Sequence, residues 1–122
     1  MTQENVDLLL KDLCARLPYN VKVLYENKVF SVDYISAIYE EIKLDIPDNY
    51  TLDISEVKPY LFPMSSMTEE QRNEYNYITE RWMYDSSYSI SDSIDWLNAH
   101  HFDYRGLIEK GLAIDATGLN IY

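Results

Sequence analysis

Cysteine, histidine and glycine are all scarce in this chain, and each shortage removes a class of chemistry. The single cysteine, Cys14, has no partner for an intramolecular disulfide, so the fold must hold without staples. The two histidines, His100 and His101, are adjacent. Neighbouring residues on a helix point about 100° apart, so the pair does not ligate one ion together. With no other histidine to serve as base, Ser65 and Ser66 lack a triad, and no G-x-S-x-G elbow surrounds them. Three isolated glycines spell neither a Walker loop nor G-x-G-x-x-G. No apolar run reaches membrane-spanning length, and no basic segment precedes an apolar leader. These absences point to a soluble protein of a reducing, cytoplasmic compartment, without catalytic, cofactor or metal residues.

Positive charge is the other shortage. Ten basic residues face 21 acidic ones, a formal charge of −11. The excess is spread evenly: six basic against eleven acidic residues in 1–63, and four against ten in 64–122. Such a field disfavours nucleic-acid phosphates and anionic membranes. It suits a basic protein partner, or simply solubility. Tyrosine, by contrast, is abundant. Twelve tyrosines bring the aromatic content to 14%, and their polar-tipped rings suit half-buried positions and interfaces.

The apolar fraction of 47% is that of a globular chain, and 122 residues suit one domain. Val6, Leu9, Leu10, Leu13 and Leu17 lie on one helical face, predicting a helix over 3–16. Thr2 or Asn5 would cap it and Pro18 would stop it. Lys11, Asp12 and Arg16 fall outside that face, and Cys14 reads as a packed thiol beside it. From Val21 the period changes to two, with Glu26-Asn27-Lys28 as a turn. The segment 35–42 fits both a strand and a helix, and its β-branched residues favour strand. Pro47-Asp48-Asn49 reads as a turn, Tyr50 to Ile54 as a strand, and Ser55-Glu56-Val57 as a helical turn capped by Ser55. A short extended strip follows at Tyr60-Leu61-Phe62.

Beyond residue 63 the pattern is helical. Ser66 and Glu69 fit a capping box, opening a helix over 68–83 with Tyr75, Ile78 and Trp82 inward. Ser89 or Ser91 caps another that runs to about His101, with Ile94, Leu97 and His101 in phase. The strips at 107–108 and 112–114 should pack back on the core, and Asn120-Ile121-Tyr122 should be loose. The sum is an α+β fold. It has an N-terminal helix, a small curled antiparallel sheet with an SH3-like barrel as the closest template, and a C-terminal helical segment. One domain spans 1–122, with 1–63 forming helix plus barrel and 64–122 packing on it.

Three runs carry a likeness to a known family. Leu8 to Tyr19 with Val21-Lys22-Val23, Lys58 to Glu70, and Trp96-Leu97-Asn98 with His101 to Ile108 and Lys110 to Ala113 resemble the opening, central and C-terminal motifs of small proteins of Bacteroides-type gut bacteria, their prophages and mobile elements. Where that family usually has glycine after the Pro-Tyr pair, this chain has Asn20, which tolerates the same left-handed turn. The family's function is unknown. The resemblance implies a bacterial or phage cytoplasmic setting and no particular chemistry.

Two clusters remain as candidates. His100, His101 and Asp103 are metal-type residues with poor spacing, and the expected reading is one histidine closing a helix end and the other solvated. The Tyr/Trp-rich stretch 75–88 cannot all face inward, because Tyr75 and Tyr77 point to different sides. Tyr77, Glu80, Tyr84, Asp85 and Tyr88 are therefore the candidate partner-binding residues. The leading expectation is a non-enzymatic, acidic protein-binding module, a phage or mobile-element modulator of a host protein. The alternatives are a small-ligand binder or enzyme with a pocket between barrel and helices, and a component of a structural oligomer.

Overall fold

Helix α1 (Gln3–Arg16) fills the span that its apolar spacing predicts, and Thr2 caps it by accepting the Asn5 N–H at 3.2 Å. The computed structural model describes residues 1–46, 51–81, 83–85, 87 and 89–122. Leu9 and Leu13 are fully buried on the expected face. Asp12 and Arg16, expected outside it, are fully buried as well. The physical reason is pairing: Arg16 Nε lies 2.9 Å from Asp12 Oδ2, and Arg105 Nη1 lies 2.9 Å from Asp12 Oδ1. Cys14 is exposed rather than packed. Partial desolvation raises its thiol pKa, which keeps it protonated and inert.

After a 3-10 turn at Leu17–Tyr19, Asn20 takes the left-handed conformation at φ 56°. Strands β1 (Lys22–Tyr25) and β2 (Lys28–Ser36) then form a hairpin. Glu26 and Asn27 both have positive φ, 47° and 63°, as a tight two-residue hairpin turn requires. The ambiguous segment 35–42 is neither one helix nor one strand. Ser36 Oγ accepts the Tyr39 N–H and Glu40 turns left-handed at φ 54°. The chain thus reverses into β3 (Glu41–Leu44). A register shift between Val32 and Tyr34 leaves Asp33 as the extra, exposed residue of a bulge.

The Pro47-Asp48-Asn49 turn and Tyr50 lie outside the described residues. Strand β4 covers only Leu52–Asp53. Ile54 has already entered the next 3-10 turn, Ile54–Glu56, which Asp53 caps in place of Ser55. Strand β5 (Lys58–Pro63) is the pivot of the fold. It pairs antiparallel with β1 and parallel with two short strands from the second half, β6 (Phe102–Asp103) and β7 (Ile114–Asp115). The strand order is β4-β3-β2-β1-β5-β6, with β7 also on β5. The sheet is open, so the barrel template does not extend to closure.

In the second half, Thr68 rather than Ser66 opens α2 (Glu69–Arg81). Thr68 and Gln71 exchange bonds of 2.9 and 3.1 Å between side chains and backbone. Ser66 is occupied elsewhere, donating to the Pro63 carbonyl. Ser89 caps α3 (Ile90–Ala99) in a box with Asp92. The buried face of α3 is Ser93, Trp96 and Leu97, while Ile94 is exposed. Of the expected Ile94–Leu97–His101 phase, Leu97 and His101 are buried and only Ile94 is not; Trp96 is inside in its place, with its indole parallel to Phe102 at 5.7 Å and close to His100 at 4.1 Å. Tyr75 and Ile78 of α2 pack half-buried on this cluster; Trp82 lies outside the described residues.

Buried apolar residues form three clusters. One joins α1 to β1–β4, with Leu13, Val23, Ile42, Leu52 and Ile54. A second gathers Leu61, Leu107, Leu112 and Ala113, so the two C-terminal strips pack inward as expected. The third is the aromatic cluster around Trp96 and Phe102. Leu10 and Ile78, both expected to face inward, are only half-buried.

Candidate functional site

Of the predicted partner-binding residues, Tyr77 and Glu80 lie near the C-terminal end of α2, and Tyr84 and Asp85 in the turn that follows it. Tyr77 is 53% and Tyr84 82% exposed, and Glu80 is exposed between them in sequence. The Arg81 guanidinium stands 5.0 Å from the Tyr77 ring centre, which holds that ring outward by cation–π attraction. The Arg81 carbonyl accepts the backbone N–H groups of Tyr84 and Asp85, folding the chain back at the helix end. Asp85 is half-buried and turned to local work. Its carboxylate accepts the Ser87 N–H at 3.0 Å and hydroxyl at 2.7 Å, and these bonds hold its pKa below the usual range. Tyr88 lies outside the described residues. Sequence reasoning missed a second exposed apolar spot, Ile38 and Tyr39 at the β2–β3 turn; turn residues inside a β-branched run gave no signal for it.

The histidine cluster is different from its sequence reading. His100 does close α3, donating from Nδ1 to the Trp96 carbonyl at 2.8 Å. His101 is buried, not solvated. It takes a left-handed conformation at φ 62°, and its ring stacks on Tyr122 at 3.6 Å and 12°. Burial, reinforced by the Arg16 charge, lowers its pKa to about 4. Asp103 is also buried, and its two oxygens accept the N–H groups of Leu107 and Ile108 at 2.9 Å each. Gly106 at φ 76° lets the chain turn tightly around that carboxylate. Among the described residues no group of three His, Cys, Asp or Glu side chains is placed to hold a metal ion.

Tyr122, expected to be loose, is a structural bridge. Its hydroxyl donates to the Tyr60 carbonyl at 2.7 Å and accepts the Lys22 N–H at 2.9 Å. The β1–β5 register, Val23 with Pro59, would next set Lys22 opposite Tyr60. The phenol therefore stands in for a ladder bond where the two strands part. Burial raises its pKa to about 12.

Concave sites among the described residues accompany these features. A pocket of about 430 Å³ lies where the Pro63-Met64-Ser65 turn meets the loop of Asp103, Tyr104 and Ile108. Asp103 in its lining accepts two backbone N–H groups, and Glu109 lines it as well. A cleft of about 350 Å³ lies between Tyr19, α2 and α3, lined by Ile78, Asp92, Asp95, Trp96 and Ala99.

Three separate runs of the sequence, 8–23, 58–70 and 96–113, converge in space. Asp12 of the first accepts from Arg105 of the third, and Arg16 Nη2 donates to the Phe102 carbonyl at 2.6 Å. Phe62 and Pro63 of the second pair with Phe102 and Asp103 of the third. Their shared work is to join the two halves of the chain. No helix among the described residues is long and apolar enough to cross a membrane. No protein-family model, curated protein or solved structure matches the chain.

Proposed function

We propose that the protein is a non-enzymatic binding module that recognises a basic protein through the acidic, aromatic surface at the end of α2. The observation that carries this reading is Tyr84, a large ring 82% exposed in the turn that closes α2, the helix that carries exposed Tyr77 and Glu80. Tyrosines of this kind are frequent anchors in interfaces, because a rigid ring buries much area for little lost freedom. The charge of −11 supports a basic partner and fast, salt-sensitive encounter. The resemblance to small proteins of Bacteroides-type gut bacteria and their mobile elements supports a cytoplasmic setting and a host protein as the target.

The test is affinity capture from such a host, followed by binding of the recovered protein at two salt concentrations. Tyr84→Ala should weaken the complex by about 2 kcal/mol or more, and Glu80→Lys should mainly slow association. Salt-independent binding that survives Tyr84→Ala would reject the surface. The pocket beside Asp103 and Tyr104 favours a second reading, a small-ligand binder. A small molecule that copurifies there, with no captured protein, would make it the better one.

A further inference from the structure

We propose that the cleft between Tyr19, α2 and α3 receives a lysine or arginine side chain of a basic peptide segment. This rests on the reading of the protein as a binder of a basic partner and names where the partner's charge is taken up. Tyr19, Ile78, Trp96 and Ala99 give the cleft an apolar trough, and Asp92 and Asp95 line it with them. On α3, Asp92, Trp96 and Ala99 recur at i, i+4 and i+7, and Asp95 precedes Ala99 by four. One helix face therefore carries both the apolar surface and both carboxylates. A side chain with a hydrocarbon stem and a cationic tip matches that combination.

The acids are available for it. No lysine or arginine lines the cleft, and Asp95 makes no hydrogen bond or ion pair among the described residues. Asp92 uses Oδ2 on the Ser89 N–H at 2.7 Å and keeps its other oxygen. A separate observation concerns Trp96. This residue is buried, and its indole N–H has no acceptor. That N–H is shielded from solvent, so it reports an occupant of the trough through its chemical shift rather than by bonding to it. A divalent ion fits poorly, since the trough offers a hydrated cation two carboxylates and otherwise apolar wall.

The experiment is titration with a hexalysine peptide, read by calorimetry and by amide and indole N–H chemical shifts. Shifts should concentrate at Ile78, Asp95 and Ala99 and at the Trp96 indole. Asp95→Asn should weaken binding about fivefold, the worth of one ion pair of about 1 kcal/mol. Ala99→Leu should weaken it by filling the trough, with an unchanged Tm showing the fold intact. The charge-matched Asp33→Asn, on the exposed bulge of β2, should have no effect. Equal losses for Asp95→Asn and Asp33→Asn would overturn the proposal in favour of a diffuse field. Shifts confined to Tyr77 and Tyr84 would overturn the cleft while leaving the α2-end surface standing. Absence of hexalysine binding would overturn the basic occupant, and Tyr84→Ala against the captured partner would still judge the broader reading. Equal affinity for n-butylamine would overturn a peptide in favour of a free amine.

Discussion

Helices α1 and α2 are nearly equal in length, 14 and 13 residues, yet they do opposite work. Helix α1 buries two leucines and an aspartate–arginine pair; α2 buries no residue fully, and the apolar side chains it packs on the core, among the described residues, are half-buried Tyr75 and Ile78. A helix so polar on most of its surface takes little stability from burial. What it does is hold Tyr77, Glu80 and the following turn outward. One helix builds the fold and the other, on the proposed reading, presents a surface, and the difference tells where substitutions should harm stability and where they should harm recognition.

The largest expected effect tests the building side. Asp12 accepts from both Arg16 and Arg105, and the pair's remaining contacts are the Phe102 carbonyl and the Tyr104 ring, 5.3 Å from Arg16 and 4.6 Å from Arg105. Asp12→Ala leaves a buried guanidinium without its counter-charge and should cost about 3–5 kcal/mol. Urea denaturation measures it. A cost as small as that of Glu80→Ala on α2 would break the contrast between the helices.

Apolar truncation makes the same comparison with a smaller step. Leu13→Ala removes a fully buried side chain and should cost about 2–5 kcal/mol. Ile78→Ala, half-buried on α2, should cost about 1 kcal/mol, since less surface returns to water. Similar losses at the two sites would show α2 to be as much a part of the core as α1.

Smaller again is the bridge at Tyr122. Tyr122→Phe keeps the ring on His101 but strips the hydroxyl between Lys22 and Tyr60, and should cost about 1–2 kcal/mol. The same contact predicts a pH effect. His101 has its pKa depressed to about 4 in the fold, against about 6.5 for a free histidine. The folded state thus prefers the neutral ring. Its contribution is whole above pH 6.5 and is lost as pH falls from 6.5 towards 4. Comparing wild type with His101→Phe across that window isolates the term from the carboxylates. Parallel stability curves would mean that His101 does not titrate in contact with Tyr122.

What the sequence made legible follows from which forces are local. The bounds of α1, the Glu26–Asn27 turn and the strip at 60–62 rest on periodicity and proline, and they stand. The partners of β5 were not legible, because β6 and β7 are two-residue strands whose pairing is set by tertiary contact rather than by pattern. Asp12 and Arg16 looked like solvated charges because the compensating Arg105 lies 93 residues away from Asp12. His101 and Tyr122 were misread for the same reason: each is fixed by the other. The caps slipped by two residues, Ser66 to Thr68 and Ser55 to Asp53, since several adjacent side chains satisfy the same local rule. The face-counting argument showed only that Tyr75 and Tyr77 cannot both point inward; which tyrosines are exposed was not legible, because Tyr84 sits in a turn past the helix end, where no period applies.

The smallest expected effect on stability falls on Tyr84, and it is the sharpest test of the presenting side. Its ring is 82% exposed, so Tyr84→Ala removes little packing and should change the denaturation midpoint by less than about 0.5 kcal/mol. Tyr77→Ala should cost slightly more, about 0.5–1 kcal/mol, because the Arg81 guanidinium loses its ring. Loss at the captured partner should run the other way: Tyr84→Ala should weaken binding more than any of the stability variants that remain folded. A large destabilisation by Tyr84→Ala would show that the ring packs in solution and is not a free anchor. A folded Tyr84→Ala variant that binds as tightly as wild type would leave α2 without the presenting role that separates it from α1.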